Sequence, residues 1–345
     1  MFKKTLILLG LIFFGLSLGM ISGCGSSSSP TPGPATMSKL YLAGKSNEII
    51  VFDPAIPSVE ASIYITGATS IKGVAVSTDK IMLYAVDSSP SNKKIYSYNL
   101  SSSQQDEIDV SSCDSLGGYL TVSPNGSRVF APTGTNAGVF AFSTSSFALE
   151  KFATMEGLGG DWGRGVAAND SYAYIANYAG AGTKGSILKY DIDIKTIVAS
   201  VEVPANGAPW FIRFNSSGNK IYVPTFNANK VFVLDLTIFS FEASSINIGG
   251  TSTDIAVTTG GKAYVTNYSQ DNVSVISNIE NKIVTGTITL DAGSGPESVV
   301  LDEARNRAYV NCFDQAKLYV IDTVNDSIET TVSLPSSADQ AAPVF

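Results

Sequence analysis

The chain contains no histidine, and that absence limits the chemistry open to it more than any motif present. A Ser-His-Asp or Cys-His nucleophile, a histidine metal site and a c-type haem attachment are all excluded. The recognition chemistry lies mid-chain. The segment 155–165, MEGLGGDWGRG, brings Asp161, Trp162 and Arg164 close together, and Trp210 and Arg213 follow some fifty residues on. Both tryptophans of the chain and two of its five arginines fall in this sector. Trp and Arg concentrate binding energy because each joins a broad flat surface to directional N–H donors. The planar fork of Arg also matches a carboxylate. Arg213 and Arg164 are therefore expected to receive an acidic group, with Trp210 and Trp162 giving apolar contact.

The other candidates are weaker. Cys113 and Cys312 fall in loops far apart and read as small structural hydrophobes, with no disulfide between them. Asp191-Ile192-Asp193 is the nearest approach to a calcium-loop pair and reads better as a strand-ending turn. No glycine pattern that would cradle a phosphate precedes a helix. Neither catalytic residues, nor a metal site, nor a cofactor is expected.

What must position these side chains is a repeat. Tyr41, Tyr84, Phe130, Tyr174, Tyr222, Tyr264 and Tyr309 each end a short apolar run and open a polar loop, at intervals of 43, 46, 44, 48, 42 and 45 residues. Each copy holds four β-branched or aromatic runs bounded by Gly, Asn, Ser and Pro, which is strand punctuation. Asp53, Asn99, Ser143, Asp191, Asp235, Ser277 and Asp322 close the third run of each copy, where a short oxygen-bearing side chain suits a tight turn. A period of about 40–45 residues points to propeller blades. Copies two and four carry longer loops between their second and third strands.

The clearest copy, Tyr264-Val265-Thr266-Asn267 followed by Val273-Ser274-Val275-Ile276, resembles the YVTN-type β-propeller repeat of bacterial and archaeal surface and periplasmic proteins. The resemblance covers Leu40 to Phe345, and copy three, with Phe130-Ala131-Pro132-Thr133, departs furthest from it. It implies an all-β fold: a single seven-bladed β-propeller of four-stranded antiparallel blades. Because one blade buries neither face alone, both faces want apolar residues, and ring closure removes the terminal faces. The first copy starts at its second strand, so the missing innermost strand is expected from the tail Ala341–Phe345, beside Leu40-Tyr41-Leu42. Aligned on this scheme, Lys72, Gly118, Arg164, Trp210, Thr253, Glu297 and Ala341 share one level near the mouth of the central channel. One step further in, Arg213 stands among Ala75, Thr121, Ala167, Ala256, Val300 and Val344. Arg213 could equally bond channel waters and carbonyls, and the tryptophans could plug the channel or pack between blades. Tyr178, Phe226, Tyr268 and Phe313 recur at one position, which argues for a structural job over a stacking surface.

The first residues carry an address. Lys3 and Lys4 precede an apolar run from Thr5 to Met20, too short to span a bilayer and readable as a secretory signal. It ends in Ile21-Ser22-Gly23-Cys24, which resembles a bacterial lipoprotein box. The resemblance implies residues 1–23 as signal, cleavage before Cys24 and lipidation of its thiol. Residues 24–38 then form a Ser/Pro/Gly tether, and 39–345 the propeller. Gly25 in place of Asp favours the outer membrane. Removing the signal moves the net charge from −8 to −10. An acidic surface repels phosphate backbones, so nucleic acid is not expected as a partner, and membrane contact should come from the lipid alone. The reading is a lipid-anchored module of the bacterial cell envelope that binds an envelope protein, a glycan or a small anionic ligand. Its site is the channel mouth, with Arg213, Arg164, Trp210, Trp162, Asp161, Lys72 and Glu297. A structural or adhesive surface-layer-type protein is the alternative, and a lactonase-like or quinoprotein-like propeller enzyme comes third.

Overall fold

The computed structural model describes residues 34–111, 116–134, 136–155, 162–178 and 184–345. Their strands form seven antiparallel sheets, six of them read from the innermost strand outward in chain order and the first with its innermost strand supplied by the tail. Blade two shows the pattern with Ile71–Val76, Met82–Ser89, Asn92–Asn99 and Gln105–Asp109. The middle strands, such as Gly138–Ser143 and Ala263–Asn267, are buried throughout, because each sheet is covered on both faces. Outermost strands are patchier. In blade five the fourth strand is broken into Ser240–Phe241 and Ile246–Asn247, both paired to Lys230–Asp235.

Seven apolar clusters hold the ring, one at each junction of neighbouring blades. At the junction of blades three and four, Phe130 packs edge-on to Tyr190 at 6.0 Å between ring centroids. The junction of blades seven and one joins Tyr309 and Leu318 to Leu40 and Phe52, with Phe52 and Tyr309 5.7 Å apart and edge-on. The closing strand, Ala338–Val344, pairs antiparallel with Lys39–Gly44, so the tail supplies blade one with its innermost strand as expected. Phe345 lies beyond that pairing and is 42% exposed. The propeller also begins before residue 39: Met37 is fully buried at the closing junction, and its carbonyl accepts from Arg305 Nη1 at 2.7 Å.

The turn residues do what their side chains suggest. Oδ1 of Asp53, Asn99, Asp191, Asp235 and Asp322 each accepts the backbone N–H two residues on, at 2.7–3.0 Å. Blade six differs: Ser277 leads into a 3-10 turn, Ile279–Asn281, whose Glu280 N–H is capped by Asn278. Blade two also departs from expectation. Where a long loop was expected after Val86, pairing continues to Ser89 opposite Asn92, giving a projecting hairpin. Lys94 is held there by Glu107 across the sheet.

Candidate functional site

At one end of the channel the innermost strands break register at a common level. Ile71 faces Asp87 and Gly73 faces Val86, so Lys72 is an extra residue on its strand. The same break falls between Gly163 and Val166, between Ser252 and Ile255, and between Pro296 and Ser298. On the closing strand it falls between Ala338 and Ala341. A bulge re-aims the side chain it frees, and these bulges free Lys72, Arg164, Thr253, Glu297 and Asp339. Blades here approach too closely for a side chain at Gly165, whose N–H donates to Trp210 O at 2.8 Å. A Cβ there would stand 2.7 Å from Phe211 Cα.

Asp339 corrects the sequence alignment. Ala342, not Val344, faces Tyr41 across the sheet, as Ala75 faces Tyr84 and Val300 faces Tyr309. The closing strand is therefore two residues out of the expected register, and the counterpart of Lys72 and Glu297 is Asp339 in place of Ala341. Counting back three residues from the one that faces the repeat tyrosine would have found it.

Two buried acids floor the site. Glu297, 2% exposed, accepts at Oε1 from Tyr119 Oη at 2.6 Å and from Trp210 Nε1 at 2.7 Å. Burial, reinforced by the charge of Asp339, pushes its carboxyl up to about 7 against those two donors and Arg164. Asp339 is also raised by burial, opposed chiefly by Lys72, whose Nζ lies 3.1 Å from Oδ2. Tyr119, missed in the sequence because nothing local marks it, packs on Phe211 at 4.2 Å between centroids.

Above the acids runs an arc of rings. Trp210 stacks on Phe226 at 4.6 Å, Phe226 lies 6.0 Å from Tyr268, and Tyr268 lies 6.5 Å from Phe313. Tyr178 meets Trp210 edge-on at 5.7 Å. Each end of the arc carries a cation. The Arg164 guanidinium lies 3.8 Å from the Trp210 ring and 5.0 Å from that of Trp162. At the other end Lys45 Nζ stands 3.4 Å over Phe313, and burial lowers its affinity for a proton. The recurring aromatics thus do more than hold loops: Phe226, Tyr268 and Phe313 face a cavity of about 700 Å³.

Five of the residues singled out in the sequence line this cavity: Lys72, Trp162, Arg164, Trp210 and Glu297. Arg164 has no hydrogen bond or ion pair among the described residues, and its Nε is buried without a partner. Arg213 is elsewhere and already engaged. Its Nε and Nη2 bond Asp254 Oδ1 and Oδ2 at 2.8 and 2.7 Å, and Asp254, fully buried, also accepts from the Ile255 and Val299 N–H groups. Asp161, Cys24 and Cys113 lie outside the described residues. Cys312 ends the strand Arg307–Cys312 and is not in a loop; burial pushes its thiol up to about 12, which makes it inert.

No family model matches the chain. The "Uncharacterized protein YncE" of Escherichia coli, in strains O157:H7 and K12, is 29% identical over 122 residues. That match covers 34% of this chain and 35% of the relative, about a third of the length of each. Among solved structures, a putative 6-phosphogluconolactonase of Bacteroides fragilis has a TM-score of 0.73 at 14% identity, covering 91% of this chain and all of that one. Hydrazine synthase of Kuenenia stuttgartiensis has a TM-score of 0.66 at 14% identity, over 92% of this chain and all of its own. AztD of Citrobacter koseri, in its apo form, has a TM-score of 0.59 at 12% identity, over 90% and 98% of the two chains. Identities this low show a shared fold: the chain is a seven-bladed β-propeller.

Proposed function

We propose that the protein is a binding module of the bacterial cell envelope, lipid-anchored through Cys24, that captures a small ligand at the mouth of its propeller. One observation carries the binding role. A cavity of about 700 Å³ is walled by both tryptophans of the chain and an arginine with no hydrogen bond or ion pair among the described residues, over two buried acids. Largely apolar concave sites of this size with a few convergent polar groups suit small molecules. The anchor rests on Ile21-Ser22-Gly23-Cys24 and on the Ser/Pro/Gly run that follows.

Both tryptophans line the cavity, so tryptophan fluorescence, excited beyond the tyrosine band, reports on the mouth. Full-length protein in detergent should show saturable quenching by a small-molecule extract of its own cells, and Arg164→Ala should lose it. Silence of the wild-type emission would sink the binding role. For the anchor, mature protein should carry two acyl chains on Cys24, and Cys24→Ser should leave the membrane fraction.

A lactone-opening enzyme is the second reading, favoured by Glu297 alone. A buried acid held at about 7 is poised to activate water, and one structural neighbour is a putative lactonase. Turnover of a δ-lactone that disappears in Glu297→Gln would establish it; turnover equal to buffer would dismiss it.

A further inference from the structure

We propose that the mouth selects a monoanionic carboxylate attached to a ring, the carboxylate seated in the guanidinium fork of Arg164 and the ring against Phe226, Tyr268 and Phe313. This rests on the small-ligand reading above and names its ligand class.

Among the described residues most charges at the mouth are already answered; Lys93, also on the cavity wall, is not, but it has no ring beside it and no planar fork. Lys72 stands 3.1 Å from Asp339. Glu297 holds two donors, from Tyr119 and Trp210. Lys45 is engaged by the carbonyl and ring of Phe313. Deeper in, Arg213 is spent on Asp254. Arg164 alone has rings on its faces and no acceptor at its edge among the described residues. A guanidinium stacked on an aromatic face keeps its in-plane N–H groups free for a planar, two-oxygen acceptor. Leaving a buried N–H of that group unanswered is costly, and a ligand that answers it recovers the cost on binding.

The surroundings narrow the acceptor further. Glu297 and Asp339 both line the cavity and are both buried, so each negative charge on the ligand adds repulsion, and a dianion meets more of it than a monoanion seated on the Arg164 fork. That favours a carboxylate over a phosphate dianion. A cationic ligand finds Arg164, Lys72 and Lys93 at the wall, and of the described acids there Glu297 already holds two donors and Asp339 is ion-paired to Lys72. The ring follows from the arc, where half-buried Phe226, Tyr268 and Phe313 offer surface to a flat or sugar-like body, and Trp162, 54% exposed, stands at the rim.

The test is titration calorimetry on the full chain in detergent with four probes: benzoate, phenylacetate, benzamide and phenyl phosphate. Benzoate or phenylacetate should bind at least ~10-fold tighter than benzamide, a difference of about 1.4 kcal/mol, and tighter than phenyl phosphate. Arg164→Met should remove the preference for carboxylate over amide and leave benzamide unchanged. Arg164→Lys, which keeps charge without the fork, should restore only part of it. Trp162→Ala, at an exposed rim position where folding is not at stake, should weaken all four alike. Benzamide binding as well as benzoate in the wild type would overturn the proposal while leaving a small-molecule site intact. So would a carboxylate preference surviving in Arg164→Met. A preference for phenyl phosphate would transfer the site to phosphate esters and overturn the carboxylate assignment. No binding by any probe overturns it as well, and if cell extract also leaves the emission unchanged, the small-ligand reading falls with it.

Discussion

The two ends of the channel differ in how far the blades agree with one another. At the end away from the cavity, Asp53, Asn99, Asp191, Asp235 and Asp322 close five hairpins in the same way, each with a side-chain oxygen on the N–H two residues along. At the mouth, the equivalent positions are Lys72, Gly118, Arg164, Trp210, Thr253, Glu297 and Asp339, and no two are alike. The turn end meets one local problem blade by blade, and the answer is local. The mouth meets a single problem shared around the ring: charges and rings from different blades must settle against each other. Divergence among repeats therefore marks the site, and agreement marks the scaffold.

The severest way to break this contrast is to open the ring. The closing strand places Asp339 at the mouth and covers blade one with buried Ala338, Ala341, Ala342 and Val344. Deleting residues 338–345 should cost about 5 kcal/mol or more in lost burial, lowering the melting temperature by roughly 10 °C or beyond. Removing Phe345 alone, which lies past the pairing, should leave the melting curve in place. Equal effects from the two deletions would mean that the strand is not the closure.

The two arginines sharpen the contrast next. Arg213→Met strands Asp254, a fully buried carboxylate, and should cost about 3 kcal/mol. Arg164→Met removes a cation with no ion pair among the described residues and should change stability by less than about 1 kcal/mol. Chemical denaturation of the two variants decides it. If Arg164→Met proves the costlier, the mouth is part of the scaffold and Arg164 is not held in reserve for a ligand.

That pair also shows where the sequence could be read and where it could not. Hairpin turns were legible because an Asp and the N–H it accepts are two residues apart. Closure was legible because the first copy lacks a strand and the tail has one to give. The level of Lys72, Arg164, Trp210 and Glu297 followed from repeat spacing alone. Arg213 looked free because its partner, Asp254, is 41 residues away on the next blade, and repeat spacing says nothing of contacts between blades. Asp339 is hidden in the sequence because the apolar residues of the tail suggest one register, whereas a bulge sets another. Tyr119 carries no local signature; only the closed ring brings it to Glu297.

A gentler probe of the mouth is its pH response. Glu297 keeps its proton to about 7 in the folded chain, against an ordinary carboxyl value of 4.5. Between those values the folded state binds more protons than the unfolded one, so stability falls as pH rises. The contribution is fully present below 4.5 and lost above 7, about 3 kcal/mol across the window. Carboxylates held low, such as Asp87 and Asp271, act in the opposite direction but titrate below this range. Subtracting the profile of Glu297→Gln from that of the wild type should isolate a downward slope between pH 5 and 7. A flat difference would mean that water reaches Glu297 and that the floor is not dry.

The least effect should come from the turn end. Ile56, Ile194, Ile238 and Val324 sit at hairpin tips and are 63–73% exposed together with Ile283 on blade six. None lines the cavity, and each turn is held by the Asp before it, through backbone N–H groups that do not depend on the tip side chain. Ile194→Ser and Ile238→Ser should therefore shift stability by under about 0.5 kcal/mol apiece and leave mouth fluorescence and probe binding unaltered. A double variant that weakened binding at the mouth would show the two ends to be coupled through the blades. The separation between repeated scaffold and single site would then have to be redrawn along individual sheets.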